Sequence, residues 1–240
     1  MNDDATVAER LAWIRDRIEN VCRRSGRPAG SVTLVGASKT QPPALLAEAW
    51  AAGLRVFGEN RVQEAVTKSH ELPSNVLEIE WHLIGPLQSN KVRPAVELFR
   101  AVHSIDRPRI AEALDRQAAS RGRRLDGFLE INLGHEESKH GFFPEGLADA
   151  VRPLAGLAHL RIAGLMAIPP PGETPEDSRP WFRQLRELRD GLASCPEWQG
   201  FPGWLSMGMS DDFEVAVEEG ATHVRVGSAL FGPRKARLAA

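Results

Sequence analysis

Lys39 closes the apolar run VTLVGAS (32–38), and its amine is the most reactive group that the sequence places at the end of a strand-like segment. Strand alternation puts Val35, Ala37 and Lys39 on one face and Leu34, Gly36 and Ser38 on the other. Inside a closed mouth the amine would be partly desolvated, which favours its neutral form. A neutral amine is what forms an imine with an aldehyde or ketone. At an open strand end the same side chain would extend its ammonium into water, and local sequence leaves both readings standing. Two later runs, LSMGMSDD (205–212) and VRVGSALFG (224–232), carry residues suited to an anion. Gly208, Gly227 and Gly232 let a backbone approach closely, and Ser206, Ser210 and Ser228 add hydroxyl donors. The same residues also serve as ordinary turn and cap residues. Arg225 shares a strand face with His223 and Gly227, so it points where Lys39 points if that face is internal. The alternative is a structural arginine paired with a buried carboxylate. Together these groups form a consistent set: an amine for an aldehyde and a loop pair for a phosphate.

These residues need elements to hold them. Val7, Leu11, Ile14, Ile18 and Val21 form one apolar stripe, predicting an N-terminal helix over about 5–25 that Gly26 and Pro28 stop. Eight strand-like runs follow, near 32–38, 55–58, 80–85, 101–104, 125–132, 160–168, 203–207 and 222–228. Helical stretches are expected at 44–52, 61–71, 89–99, 107–121, 145–154, 175–192 and 212–219, with Gly53, Gly122 and Gly220 just past three of them. Strands alternating with helices predict a parallel sheet. The spacing, roughly 25 residues per unit, suits a single (β/α)8 TIM barrel over about 31–235, with the whole chain 1–240 as one domain. A doubly wound sheet is the alternative, but it would announce a Gly-rich turn after its first strand, and here that turn reads SKTQPP.

In a barrel, chemistry sits at the C-terminal ends of the strands. The polar residues there are Lys39, Glu59 and Asn60, His82, Gln88 to Asn90, His103, Ser104 and Asp106, Asn132, then Ser206, Ser210, Arg225 and Ser228, with Met166 in the sixth run. Asp106, before Arg107 and Pro108, reads as a helix N-cap, as does Asp211 or Asp212. HEESKH (135–140) lacks the spacing of a zinc-binding helix, so no metal site is expected. GMSDD lacks the second glycine of a nucleophile elbow. Lys plus Arg number 30 against 32 Asp plus Glu, a net charge of −2, which argues against a nucleic-acid binder relying on a basic field. Two cysteines, Cys22 and Cys195, are too few for a disulfide framework and suit a reducing compartment. MNDDATVAER lacks the features of a secretory signal, and no apolar run reaches the roughly 18 residues of a membrane span. A cytoplasmic protein with no membrane association is expected.

GASKTQPP, FGENRVQEA, WHLIGPLQSNK, HSIDR, INLGHEESKHGF, GLMAIPPP and SMGMSDDFEVAVEEGATHVRVGSALFG, in that order, resemble the pyridoxal phosphate homeostasis protein family. The resemblance runs from about residue 10 to 233 and implies a barrel like the N-terminal domain of alanine racemase, binding pyridoxal 5′-phosphate (PLP). It implies that Lys39 is the Schiff-base lysine and that Ser206, Ser210, Gly227 and Ser228 belong to the phosphate loops. It also implies that Arg225 faces the pyridine nitrogen and that Asn60, His82 and Met166 line the cofactor. Two departures are GASKT where AVSKT is common and Arg61 where a tyrosine is usual.

An arginine at the pyridine nitrogen keeps that atom unprotonated and makes the ring a poorer electron sink. Alanine racemase pairs its lysine with a tyrosine from a second domain, whereas this chain has no Tyr and no length left for that domain. The expectation is therefore a non-enzymatic PLP carrier without efficient racemisation and without catalytic residues. It would act in intracellular PLP homeostasis as a monomer, with apo PLP-dependent enzymes as acceptors. Two other readings share its features. One is a class I aldolase-type enzyme using Lys39 on a sugar phosphate. The other is a metabolite sensor or interaction scaffold with a vestigial lysine.

Overall fold

The computed structural model describes residues 5–76, 78–137 and 139–232. Its centre is a closed barrel of eight parallel strands in sequential order. The strands are β1 (Thr33–Ala37), β2 (Val56–Glu59), β3 (Glu80–Leu83), β4 (Ala101–Ile105), β5 (Leu125–Glu130), β6 (Leu160–Met166), β7 (Trp204–Ser206) and β8 (His223–Val226). β8 closes on β1 with Val35 opposite Arg225 and Gly36 opposite Val226. The architecture is the (β/α)8 barrel that the run spacing predicts. Residues 233–235, at the expected end of the barrel, lie outside the described residues.

Around it run α1 (Val7–Arg24), α2 (Pro43–Ala51), α3 (Val62–Glu71), α4 (Val92–Leu98), α5 (Pro108–Ser120), α6 (Leu147–Val151), α7 (Arg179–Ala193), α8 (Phe213–Glu218) and α9 (Ser228–Phe231). α1 starts with a capping box, the Thr6 side chain accepting from Glu9 N and the Glu9 carboxylate accepting from Thr6 N. Its stripe of Val7, Leu11, Ile14, Ile18 and Val21 is buried against α2, α8 and α9. Ion pairs from Arg17 and Arg24 to Glu214 and Glu218 tie it further to α8.

Three local expectations are corrected. The helix expected over 145–154 is α6 followed by a 3-10 turn, Arg152–Gly156. Gly146 takes a left-handed φ of 70°, which delays the start, and Pro153 withholds the N–H that would continue an α-helix. The stretches at 89–91 and 175–178 are likewise 3-10. Asp106 is not an N-cap: Arg107 holds that position, and the Asp106 carboxylate pairs with the Arg107 guanidinium at 2.5 Å. Asp212 is the N-cap residue of α8, yet its side chain makes no cap bond to the helix. It accepts instead from Met209 N at 2.7 Å and from Ser178 Oγ at 2.8 Å.

The barrel interior is unusually polar. Ala101, Phe128, Met166 and Trp204 form one apolar group inside it, and Val35, Ala37 and Ile84 form another. Between them stand His82, His103 and His223, with the His103 ring stacked on Phe128 at 4.1 Å between centroids and all three histidines buried.

Candidate functional site

Lys39 follows β1 on its inward face and is partly buried at the C-terminal mouth. The turn that presents it is strained. Thr40 has φ 65°, a left-handed conformation that β-branched residues rarely adopt. Its N–H donates to Glu64 Oε1 at 2.6 Å and its hydroxyl to the Lys39 carbonyl at 2.6 Å. Behind the turn lies a buried ionic cluster. Lys68 Nζ meets Glu59 Oε1 and Glu64 Oε1, each at 2.7 Å, and the Ser38 carbonyl at 2.8 Å. Ser38 Oγ also donates to Glu59 Oε1, at 2.7 Å. Glu59 is fully buried, and burial holds its carboxyl above the usual range against the opposing pull of Lys68. A backbone strained at this point persists only where the surroundings over-determine it, and the residues flanking Lys39 are held on both sides.

Arg225 reaches from β8 across the top of the lumen. Its Nη1 donates to the Ser206 carbonyl and to Ser206 Oγ, both at 2.7 Å, and Nη2 donates to the Ala167 carbonyl at 3.1 Å. These partners are neutral oxygens. Burial lowers the guanidinium to about 10, with the charges of Asp212 and Glu130 pulling it back up. Because Val35 is level with Arg225, Lys39 stands four residues further along the adjacent strand direction, toward the solvent end of the mouth.

The two glycine- and serine-bearing loops meet at Ser210. Its Oγ accepts from Gly227 N and from Ala229 N, each at 3.2 Å, and so binds the loop after β7 to the start of α9. Ser228 is exposed beside it. Gly227 lies against β1, where an added Cβ would stand 3.4 Å from the Ala37 carbonyl. Across the mouth, Asn60 follows β2, and Gly85 packs so tightly on it that a Cβ there would fall 2.5 Å from the Asn60 carbonyl oxygen. Asn132 serves its own loop. Its side chain bonds Glu136 N, Glu136 O and Lys139 O at 2.9–3.2 Å, and Lys139 Nζ pairs with Glu136 at 2.6 Å.

Two further carboxylates stand at this end: Asp106, which the sequence places there, and Glu130, which it did not single out. Glu130 ends β5 on the Phe128 face, in register with Met166. Burial and the charge of Asp106 raise its carboxyl from 4.5 to about 7, against Arg225 and Lys139. Asp106 Oδ1 is buried with no hydrogen-bond partner. Strand alternation from Phe128 was the available signal for Glu130. For Lys68 it was the spacing Val62, Ala65, Lys68, three buried positions along one face of α3.

The chain matches the family model described as alanine racemase, N-terminal domain, over residues 10–235. It is 46% identical to the pyridoxal phosphate homeostasis protein of Aquifex aeolicus over 229 residues, covering 95% of this chain and 99% of that protein. Against the pyridoxal phosphate homeostasis protein of Pseudomonas aeruginosa it is 45% identical over 230 residues, covering 96% of each. The chain belongs to the pyridoxal phosphate homeostasis protein family. A solved structure of PipY from Synechococcus elongatus with PLP bound superposes with a TM-score of 0.82 at 42% identity, covering 95% of this chain and all of that one.

Within this member of the family, Lys39, Asn60, Met166, Ser210, Arg225, Gly227 and Ser228 all lie on the C-terminal ends of strands or the loops that follow them. Two of the expected site residues are placed differently. Ser206 is the last residue of β7, fully buried, with its hydroxyl bonded to Arg225 and, at 2.7 Å, to His103 Nδ1. His82 lies lower, lining a cavity of about 390 Å³ at the N-terminal end of the barrel together with Glu80, Trp204 and His223. Both of its ring nitrogens are engaged below the mouth, Nδ1 with His103 and Nε2 with Glu80, each at 2.9 Å. Among the described residues, no group of three or more His, Cys, Asp or Glu is arranged to hold a metal ion, and no helix is long and apolar enough to cross a membrane.

Proposed function

We propose that this chain binds PLP at the C-terminal mouth and takes part in intracellular PLP homeostasis, with Lys39 as the Schiff-base lysine. When bound, PLP supplies an aldehyde for an amine and a ring that can accept electron density. Lys39 offers the amine from a turn held rigid by Glu64, Lys68 and Glu59. Ser210, Gly227 and Ser228 hold the phosphate through hydroxyls and backbone N–H groups. Asn60 and Met166 flank the ring, and Arg225 faces its nitrogen. The residues fit the group: an amine, a hydroxyl-bearing loop pair and a cation converge on one mouth.

The observation that carries this reading is Arg225, a buried cation whose hydrogen-bond partners among the described residues are neutral oxygens, on the strand beside the one that leads to Lys39. A guanidinium in that place keeps a pyridine nitrogen unprotonated, because two positive charges would otherwise meet. The site is then built to hold the cofactor rather than to stabilise carbanions, and efficient racemisation is not expected. PLP held this way passes to apo-enzymes from a cytoplasmic, monomeric carrier.

Adding PLP to the purified protein tests this. A visible band should appear, and borohydride reduction followed by peptide mapping should place the label on Lys39. A colourless mixture, or label spread over Lys91, Lys139 and Lys235, would remove the reading and leave a sugar phosphate as the next ligand to try. Sustained alanine racemisation would remove the carrier role alone.

A further inference from the structure

A continuous series of hydrogen bonds crosses the barrel beneath the mouth. Arg225 Nη1 donates to Ser206 Oγ, which lies 2.7 Å from His103 Nδ1. His103 Nε2 lies 2.9 Å from His82 Nδ1, and His82 Nε2 lies 2.9 Å from Glu80 Oε1. Glu80 is half exposed at the opposite end of the barrel. The bonds join β8, β7, β4 and β3, and no local sequence feature connects them.

Donor capacity fixes the direction of the series. Arginine can only donate and an ionised carboxylate can only accept. Ser206 Oγ accepts from Arg225, and its single proton is available for His103 Nδ1. His103 then carries its proton on Nε2 and donates to His82 Nδ1, and His82 donates from Nε2 to Glu80. Every group is satisfied and both imidazoles stay neutral. The reverse direction would put a bare His82 Nε2 against the Glu80 carboxylate, two acceptors at 2.9 Å, unless His82 took a second proton. Burial holds His103 well below its ordinary value, in keeping with a neutral ring, and the His82 hydrogen bond holds the Glu80 carboxyl below the usual carboxylate range.

We propose that His103 and His82 are positioning residues for Arg225: with Glu80 as the anionic anchor, they orient the Ser206 hydroxyl so that its lone pairs receive the guanidinium. This rests on the reading that Arg225 faces the cofactor's ring nitrogen. Among the described residues Arg225 donates to two backbone carbonyls, fixed by their strands, and to this hydroxyl, the one partner whose direction a neighbouring side chain can set. A serine rotor left to itself has three staggered settings, and His103 selects one.

The experiment is imidazole nitrogen NMR on histidine-labelled protein, combined with exchange of the Arg225 Nε–H and PLP titration. His82 and His103 should both be neutral Nε2–H tautomers. Glu80→Ala, a change at the solvent-exposed end, should shift the His103 nitrogen signals although that ring lies beyond His82. His103→Leu should speed Arg225 Nε–H exchange and weaken PLP binding by about tenfold or more, the scale of one lost hydrogen bond to a charged group. His103→Gln, which can accept from Ser206 and donate to His82, should restore both to within about threefold, well under one such bond. A packing role alone would not give that pattern of tautomer and rescue. The proposal fails if His103 is the Nδ1–H tautomer, if His82 is an imidazolium, or if Arg225 exchange is the same in all variants. Should His103→Leu not fold, Glu80→Ala and the wild-type tautomers decide it. Absence of a PLP band in the wild type would overturn the proposed function instead, while the tautomer and exchange results would still judge the series of bonds.

Discussion

Replacing Glu130 by Gln should change the pH dependence of stability in a direction opposite to that of an ordinary salt-bridged carboxylate. Glu130 sits in the top layer of the lumen, and burial beside Asp106 raises it from 4.5 to about 7. Between those values the folded protein keeps a proton that the unfolded chain has released. The folded state binds more protons there, so stability falls as pH rises through the window, and below 4.5 the penalty is absent because both states are protonated. At 1.36 kcal/mol per pKa unit, the penalty reaches roughly 3 kcal/mol above neutrality. Glu130→Gln keeps the shape and cannot ionise. Urea unfolding of both proteins from about pH 4 to about pH 8 gives the comparison, other groups titrating alike in each. The variant's advantage should grow by about 3 kcal/mol across that range, mostly between 4.5 and 7. A difference that stays flat with pH would refute the reasoning, because Glu130 would then have the same affinity for protons folded and unfolded.

Four other outcomes follow from the packing and charge of the barrel. Lys68→Met should cost about 3–5 kcal/mol in urea unfolding, because it strands the buried Glu59 carboxylate, and Lys68→Met with Glu59→Gln should recover most of it. His223, lowered from 6.5 to about 3 by burial, contributes stability that is present above 6.5 and lost as pH falls toward 3; His223→Asn should flatten that acid limb in melts taken across the same range. Gly164→Ala should prevent soluble folding, since its Cβ would lie 2.0 Å from the Trp204 carbonyl oxygen across the β6–β7 pair. Gly191→Ala, on α7 with nothing within 4 Å of the added carbon, should stabilise by about 0.5–1 kcal/mol in the same unfolding assay.

The barrel was legible because its strands are short apolar runs separated by strong stop signals. Gly53, Gly122 and Gly220, expected just beyond helices, all take positive φ, the conformation that lets a chain leave a helix without strain. Legibility failed where side chains compete for the backbone. Asp106 looked like a cap because an acid precedes Arg–Pro, but the helix starts one residue later, with Arg107 at the N-cap, and the Asp106 carboxylate pairs with the Arg107 guanidinium at 2.5 Å. Pro153 and Gly146 shortened α6 for reasons visible in the sequence once both are weighed together.

The site was legible by face and not by partner. Alternation along β8 puts Arg225 inside, and alternation along β7 does the same for Ser206, but nothing local says that Ser206 belongs to Arg225 and not to a ligand. Its other partner, His103, is 103 residues away. The same holds for Lys68, which reads as an ordinary helix charge until its carboxylate on β2 is known. The missing information is nevertheless constrained. A charge or an imidazole on the inward face of a barrel strand cannot remain unpaired at low dielectric, so its partner must be another inward group, or a group on a helix packed over that strand. In this chain the inward polar positions can be read off by alternation along each strand. Such a list holds Glu80, His82, His103, Ser206 and Arg225, and in their series the carboxylate can only accept and the guanidinium can only donate, so these two form its ends.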